Sequence, residues 1–169
     1  MDNRYVEKLV AKKTTTNAII LRVFTLVAAL FLMYVVAVIV GVIYSLVALF
    51  FLGYMVYYVF LMTSVEYEFV LVNNELTIDA IYGKNKRKNQ QTFDVSKCEV
   101  IAPLESTYVS GYHRNNQMKS FDYTSGENRE QIFIFIIPYG ASTAKLYMEL
   151  DQQILDAVRM AAPGKVKLS

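Results

Sequence analysis

VFTLVAALFLMYVVAVIVGVIYSLVALFFLGYMVYYVFLMTSV, residues 23–65, contains no Asp, Glu, Lys, Arg or His. As one straight helix its 43 residues would reach roughly 64 Å. The hydrocarbon core of a bilayer is only about 30 Å thick, so two spans joined by a tight turn use the length and one does not. Gly41, the only glycine between Met1 and Leu52, marks that turn. The stretch predicts a first span over 18–40 and a second over 43–63.

The flanks orient this hairpin. Up to residue 22 there are five basic residues (Arg4, Lys8, Lys12, Lys13, Arg22) against two acidic ones (Asp2, Glu7). Short basic flanks stay in the cytoplasm, and a hairpin returns the chain to the side it left. Both termini are therefore expected on the cytoplasmic side of the cell membrane, in a multi-pass protein. Cys98 is the lone cysteine, so no internal disulfide forms, as suits a reducing compartment. The apolar run is too long for a signal peptide, and no Ala-x-Ala-like cleavage site follows it.

Residues 1–17 read as an N-terminal cytoplasmic amphipathic segment. In NRYVEKLVAKK, residues 3–13, Tyr5, Val6, Leu9 and Val10 fall at helical spacing with a basic face opposite, as in a short helix lying on an anionic leaflet. Thr14 to Asn17 offer capping side chains to the first span. Arg22 can snorkel to the headgroups, and Tyr44, Tyr57 and Tyr58 suit the two interfaces. Polar groups at depth are limited to Tyr34, Ser45 and Tyr54, which argues against a pump or ion path. Gly53 and Ala28–Ala29 would permit close helix contact.

After Val65 the period changes to two. Residues 65–72 (VEYEFVLV) and 75–82 (ELTIDAIY) are strands around an Asn73–Asn74 turn. Gly83 to Lys88 forms a second, basic turn, and Gln90–Val95 returns as a strand. Further stretches follow at 98–104, 107–112 and 118–123. Residues 131–137 (QIFIFII) are apolar on both faces, so this is a central strand or one face covers a partner. Pro138 and Gly140 end it. A strand over 145–149 precedes a helix from an Asp151 cap to Ala162, with one continuous helix from Thr143 as the alternative. The domain occupies 65–163, with a tail at 164–169, and it starts almost directly at the second span.

The run YEFVLVNNELTIDAIYGKNKRKNQQTFDVSKCEVI, residues 67–101, resembles bacterial pleckstrin-homology-like (PH-like) domains that follow paired membrane spans. The whole chain is similar to small membrane proteins of Gram-positive bacteria grouped as a family without assigned function. The resemblance implies a membrane α-hairpin plus an α+β domain: a PH-like antiparallel, seven-stranded bent sheet or partly open barrel, capped by the helix at 151–162. Such folds host lipid, peptide and protein binding alike.

Lys84, Lys86, Arg87 and Lys88 are the lipid-headgroup candidates; each cation held near an anionic surface is worth about 1 kcal/mol. A solvated hairpin tip is the plainer alternative. Tyr108, Tyr112, Phe133 and Phe135 are the partner-surface candidates. His113 is the lone histidine, in a polar stretch read as a loop, and with Cys98 it is too little for a zinc site. Cys98 lacks an activating base and reads as a core residue. Glu66 and Glu68 share a strand face that reads as solvated rather than as an acid–base pair. Phosphate-binding glycine loops and nucleophile elbows are missing from the sequence, as expected of a chain with no catalytic activity, cofactor or metal. Net charge of +2 does not suggest nucleic acid. The expected role is a membrane-anchored cytoplasmic interaction module, an adaptor or assembly partner that binds another protein or itself. The alternative is an anionic-lipid headgroup sensor acting through residues 84–88.

Overall fold

The computed structural model describes residues 5–115 and 117–168. Asp2 and Arg4 of the basic flank, and the side chain of His113, lie outside what is described. The chain forms two compact bodies. One comprises residues 14–65 with 82–86, the other residues 5–13, 66–81 and 87–168.

The first body holds α1 (Thr16–Ile39) and α2 (Val42–Thr63), each long and apolar enough to cross a membrane. Their separator is Gly41, at φ 113°, a backbone conformation that side chains disfavour and that reverses the chain between the helices. The expected hairpin is present to within two residues at each boundary. Thr15 stands at the N-cap of α1 without a side-chain hydrogen bond, so the expected threonine cap is not made. Thr25 donates to the Leu21 carbonyl at 2.7 Å and Ser45 to the Val42 carbonyl at 2.6 Å, so the hydroxyls are satisfied within their own helices. Ala29 is buried in the helix contact. Gly53 faces α1 across a cavity of about 210 Å³ that Ala29 also lines, so a Cβ there would meet nothing within 4 Å.

The second body contains the two sheets. β1 (Tyr5–Ala11), β2 (Val65–Val72), β3 (Glu75–Tyr82) and β4 (Lys86–Asp94) form one, in that order. β5 (Val100–Pro103), β6 (Lys119–Tyr123), β7 (Ile132–Tyr139) and β8 (Ser142–Glu149) form the other, in the order β5-β7-β8-β6. The segment read as an amphipathic helix is β1. It lies antiparallel to β2 from Tyr5 opposite Val72 to Ala11 opposite Glu66. A strand satisfies its backbone on a ready partner, whereas an isolated helix this short is marginal in water. Sequence neighbours in space are thus interrupted: both transmembrane-length helices are inserted between two adjacent strands.

The inner faces meet through Tyr67 and Tyr123, with ring centroids 5.2 Å apart, and through Phe93 and Phe135, 6.2 Å apart. α4 (Gln152–Ala161) contributes buried Ile154, Leu155 and Val158, and Asp151 caps it by accepting from the Ile154 N–H at 3.0 Å. The alternative of a continuous helix from Thr143 is excluded, because residues 142–149 are β8. β7 runs through Pro138 to Tyr139 rather than ending before it, and it is central, between β5 and β8. Its inward Phe133, Phe135 and Ile137 fill the core; its outward Ile134 and Ile136 pack with Val109 under α3 (Thr107–Arg114). Both apolar faces are covered from within the chain. The stretch at 107–112 is therefore helical, and the backbone of residue 113 belongs to it. Residues 165–167 are no loose tail: the Ile101 N–H donates to the Lys165 carbonyl at 2.9 Å and the Lys167 N–H to the Ile101 carbonyl at 2.8 Å, covering the edge of β5. The described residues thus hold eight strands in two unclosed sheets, where the resemblance implied seven in one.

Candidate functional site

The basic turn is tighter than its sequence suggests. Only residues 83–85 are turn; Lys86, Arg87 and Lys88 already belong to β4. The Asn85 N–H donates to the Tyr82 carbonyl at 3.2 Å, and both central residues are left-handed, Gly83 at φ 55° and Lys84 at φ 63°. That is the type I′ geometry, whose twist matches that of the flanking strands. Glycine accepts it without strain; Lys84 does not, at roughly 1 kcal/mol.

Residues 82–86 form part of the helical body. The Gly83 N–H donates to the Ser64 carbonyl at 2.9 Å, closing on the residue that ends α2. A Cβ on Gly83 would lie 2.9 Å from Leu61 Cβ and 3.1 Å from its Cα. Only hydrogen fits there. Glycine is required twice over, for its dihedral and for its size.

Arg22 completes this junction. Its Nε donates to Thr63 Oγ1 at 2.7 Å, its Nη2 donates to Ser64 Oγ at 3.0 Å, and its guanidinium lies 4.9 Å from the Phe60 ring. The residue expected to snorkel outward instead joins the start of α1 to the end of α2. Its charge remains, in the same body as the exposed Lys84 and Lys86. A threonine–serine pair ending one apolar helix, with an arginine nearly two turns into the other, is the sequence signal for this contact.

Arg87 departs from the expected headgroup set. Its Nη2 stands 2.6 Å from both carboxylate oxygens of Glu68 and its Nε 3.9 Å from Asp79 Oδ2. β3 separates β4 from β2, so Arg87 reaches across a whole strand, past Asp79, to make this pair. Asn89 Nδ2 donates to Asp79 Oδ1 at 2.9 Å on the same face. Glu68, read as solvated, is buried, whereas Glu66 is half-buried. Burial pushes the Glu68 carboxyl above the usual carboxylate range; Arg87 opposes this, and Glu7 and Asp79 add to it. Arg87 is thereby committed inside the domain. Lys84, Lys86 and Lys88 make no ion pair among the described residues and remain exposed.

The partner-surface candidates divide. Tyr108 on α3 is 51% exposed. Tyr112 is half-buried and donates its hydroxyl to Glu99 Oε2 at 3.2 Å. Phe133 and Phe135 are buried core residues, so neither offers a docking surface. Cys98 is fully buried, and that burial pushes its thiol up to about 12, far from thiolate chemistry at neutral pH. Among the described residues no three His, Cys, Asp or Glu side chains gather as metal ligands.

The chain belongs to the bacterial PH-like domain family DUF6106, whose profile matches residues 2–168, the two apolar helices included. No curated protein and no solved structure matches it.

Proposed function

We propose that the protein is a membrane-anchored, non-catalytic module that holds its PH-like domain at the bilayer surface and contacts anionic headgroups through Lys84 and Lys86, with Arg22 alongside. The observation that carries this reading is the seat of Gly83 on Leu61 and Ser64, which ties the tip bearing both lysines to the end of α2. With α1 and α2 as spans, that end lies at a membrane–water interface. The β1–β2 pairing supports a common side for both flanks of the helices, and the basic residues before α1 favour the cytoplasmic side. Its leaflet carries the anionic lipid that three cations would attract.

The test uses the full chain, because a piece starting at residue 65 would lack β1 and bare the edge of β2. The protein is reconstituted in mixed phosphatidylglycerol and phosphatidylcholine, and the lipids retained on purification are counted by native mass spectrometry. Retention should favour phosphatidylglycerol, and K84Q/K86Q should weaken that preference by roughly thirtyfold, about 2 kcal/mol for two cations. Equal retention of both lipids, or a preference untouched by the double substitution, would remove the reading.

A second reading, a membrane-tethered adaptor for another protein, is favoured by the exposed Tyr108 on α3. Its test is in-cell crosslinking of the full chain followed by purification. A stoichiometric protein partner supports it; recovery of this chain alone, as a monomer, counts against it.

A further inference from the structure

α1 and α2 do not close on each other along their whole length. A cavity of about 210 Å³ lies between them, lined by Leu26, Ala29 and Met33 of α1 and by Leu49, Gly53 and Val56 of α2, and all of its walls are apolar residues. It is a slot rather than a sealed void: Leu26 is 44% exposed and Leu49 49%. Because a Cβ on Gly53 would meet nothing within 4 Å, this glycine does not serve close approach to α1. Its missing side chain holds the slot open.

The place of the slot along the helices says what fills it. Arg22 stands four residues before Leu26 and eleven before Met33, on the same helical stripe. The slot therefore runs from about 6 to about 16 Å beneath Arg22 along α1. On α2, Val56 lies two turns before Thr63, the residue that Arg22 bonds. Half of a bilayer's hydrocarbon core is about 15 Å. With α1 and α2 as spans, the slot takes up the acyl depth of one leaflet and starts one turn beneath a fixed cation.

Arg22 supplies a matching polar end. A guanidinium has five N–H donors. Here Nε and Nη2 are each used once, on the neutral hydroxyls of Thr63 and Ser64, and among the described residues no carboxylate pairs with the charge. A cation with donors to spare suits a phosphate. Above an apolar slot one leaflet deep, it is the complement of a phospholipid.

A second copy of the chain fits less well. Helices associate in lipid where small residues let backbones approach. Gly53 is flanked on its own helix by Leu49 and Val56 and faced by Leu26, which keep a helix backbone away and admit a slim hydrocarbon chain. Acyl tails are as apolar as leucine, so no hydrophobic force draws the chain in. The gain is van der Waals contact with walls that would otherwise line a void.

We infer that α1 and α2 together hold one phospholipid of the leaflet at Arg22, its phosphate on the guanidinium and one acyl chain in the slot. The inference rests on the membrane-anchored reading but not on its headgroup preference, because every phospholipid carries the phosphate.

The test is photolabelling of the full chain, reconstituted in phosphatidylcholine bilayers, by phosphatidylcholine bearing a diazirine at mid-chain, with adducts mapped by peptide mass spectrometry. Adducts should concentrate several-fold on Leu26, Met33 and Val56 over the outward Phe31 and Phe51, which are 64% and 74% exposed. G53A should reduce the slot adducts and G53L abolish them, with outward labelling and the helical circular dichroism signal retained. R22Q should weaken them several-fold. Labelling spread evenly over the exposed residues of both helices means annular lipid only and overturns the inference, as do slot adducts undiminished in G53L. Dimers in native mass spectrometry that G53L dissolves would give the slot to a second copy and overturn it too. Equal slot labelling by phosphatidylglycerol and phosphatidylcholine probes supports the inference while removing the headgroup preference. A phosphatidylglycerol preference that K84Q/K86Q abolishes, with slot adducts absent, keeps the headgroup reading and overturns the slot.

Discussion

Glu68 and Arg87 form an ion pair of unequal halves: the carboxylate side chain is 4% exposed and the guanidinium 58% exposed, with Nη2 2.6 Å from both oxygens. Removing the cation leaves a buried acid, whereas removing the acid leaves an arginine that water can solvate. R87A should therefore destabilise the domain by about 2 kcal/mol, less than the roughly 3–5 of a fully buried pair because one partner is wet. E68Q should cost less than R87A. Thermal melts of the full chain in detergent, followed by circular dichroism, measure both.

The same pair sets a pH dependence. Burial, with Glu7 and Asp79, raises the folded carboxyl of Glu68 above its ordinary 4.5, against the pull of Arg87. As pH climbs from 4.5 through that raised value, the folded state must surrender a proton the unfolded chain has already lost. Stability therefore falls across this window and levels off above it. Asp94 works in the opposite sense. The Ser96 side chain and backbone N–H hold it below 3.8, so its contribution is present above 3.8 and is lost as pH falls through its depressed folded value. Melts at half-unit steps should show the falling limb in the native chain and a flatter profile in E68Q. An unchanged profile in E68Q would mean another group carries the slope.

At the tip, Gly83 and Lys84 should respond in opposite directions. G83A drives a methyl into Leu61 and strains φ 55°, and should lower stability by about 1–3 kcal/mol. K84N places a residue tolerant of φ 63° in the turn and should raise it by a few tenths to about 1 kcal/mol. Because K84N also removes a cation, it should weaken anionic-lipid retention while stabilising the fold, which separates the two roles of one residue.

Cys98 should resist thiol reagents. Burial first, and the nearby Asp94 charge second, hold its thiol up to about 12. Ellman's reagent should report almost no reaction in the folded chain at neutral pH and one equivalent in denaturant. Rapid labelling of the folded protein would show that the strand end around Cys98 opens readily.

The helices and α4 were legible because their signals are local: an uncharged run too long for one span, a lone glycine at its middle, and Asp151 ahead of an apolar stripe. β1 was not. Tyr5, Val6, Leu9 and Val10 fit a helical face, and the strand that decides otherwise lies more than fifty residues away, beyond both helices. Glu68 alternates correctly for an outward position, but nothing in its neighbourhood announces Arg87, nineteen residues on and two strands over. At α3, Gly111 hid a helix that the Ser106 cap would have revealed; its side chain accepts from the Tyr108 N–H at 3.4 Å. The basic tip was visible as charge, yet the step that orients it, Gly83 against Leu61, is a contact between distant segments.

The pairing of Tyr5 with Val72 also has a meaning for how the protein is made. The ribosome delivers β1 first, then both apolar helices, and only afterwards the strand that β1 needs. With α1 and α2 as spans, a nascent chain that threads only one of them, or enters the bilayer the wrong way round, leaves β1 and β2 on opposite sides of a barrier neither can cross. The sheet then cannot close, β2 keeps a naked edge, and the domain is exposed to proteolysis. With α1 and α2 as spans, the first sheet would close only in chains whose two helices had both inserted and left β1 and β2 on one side.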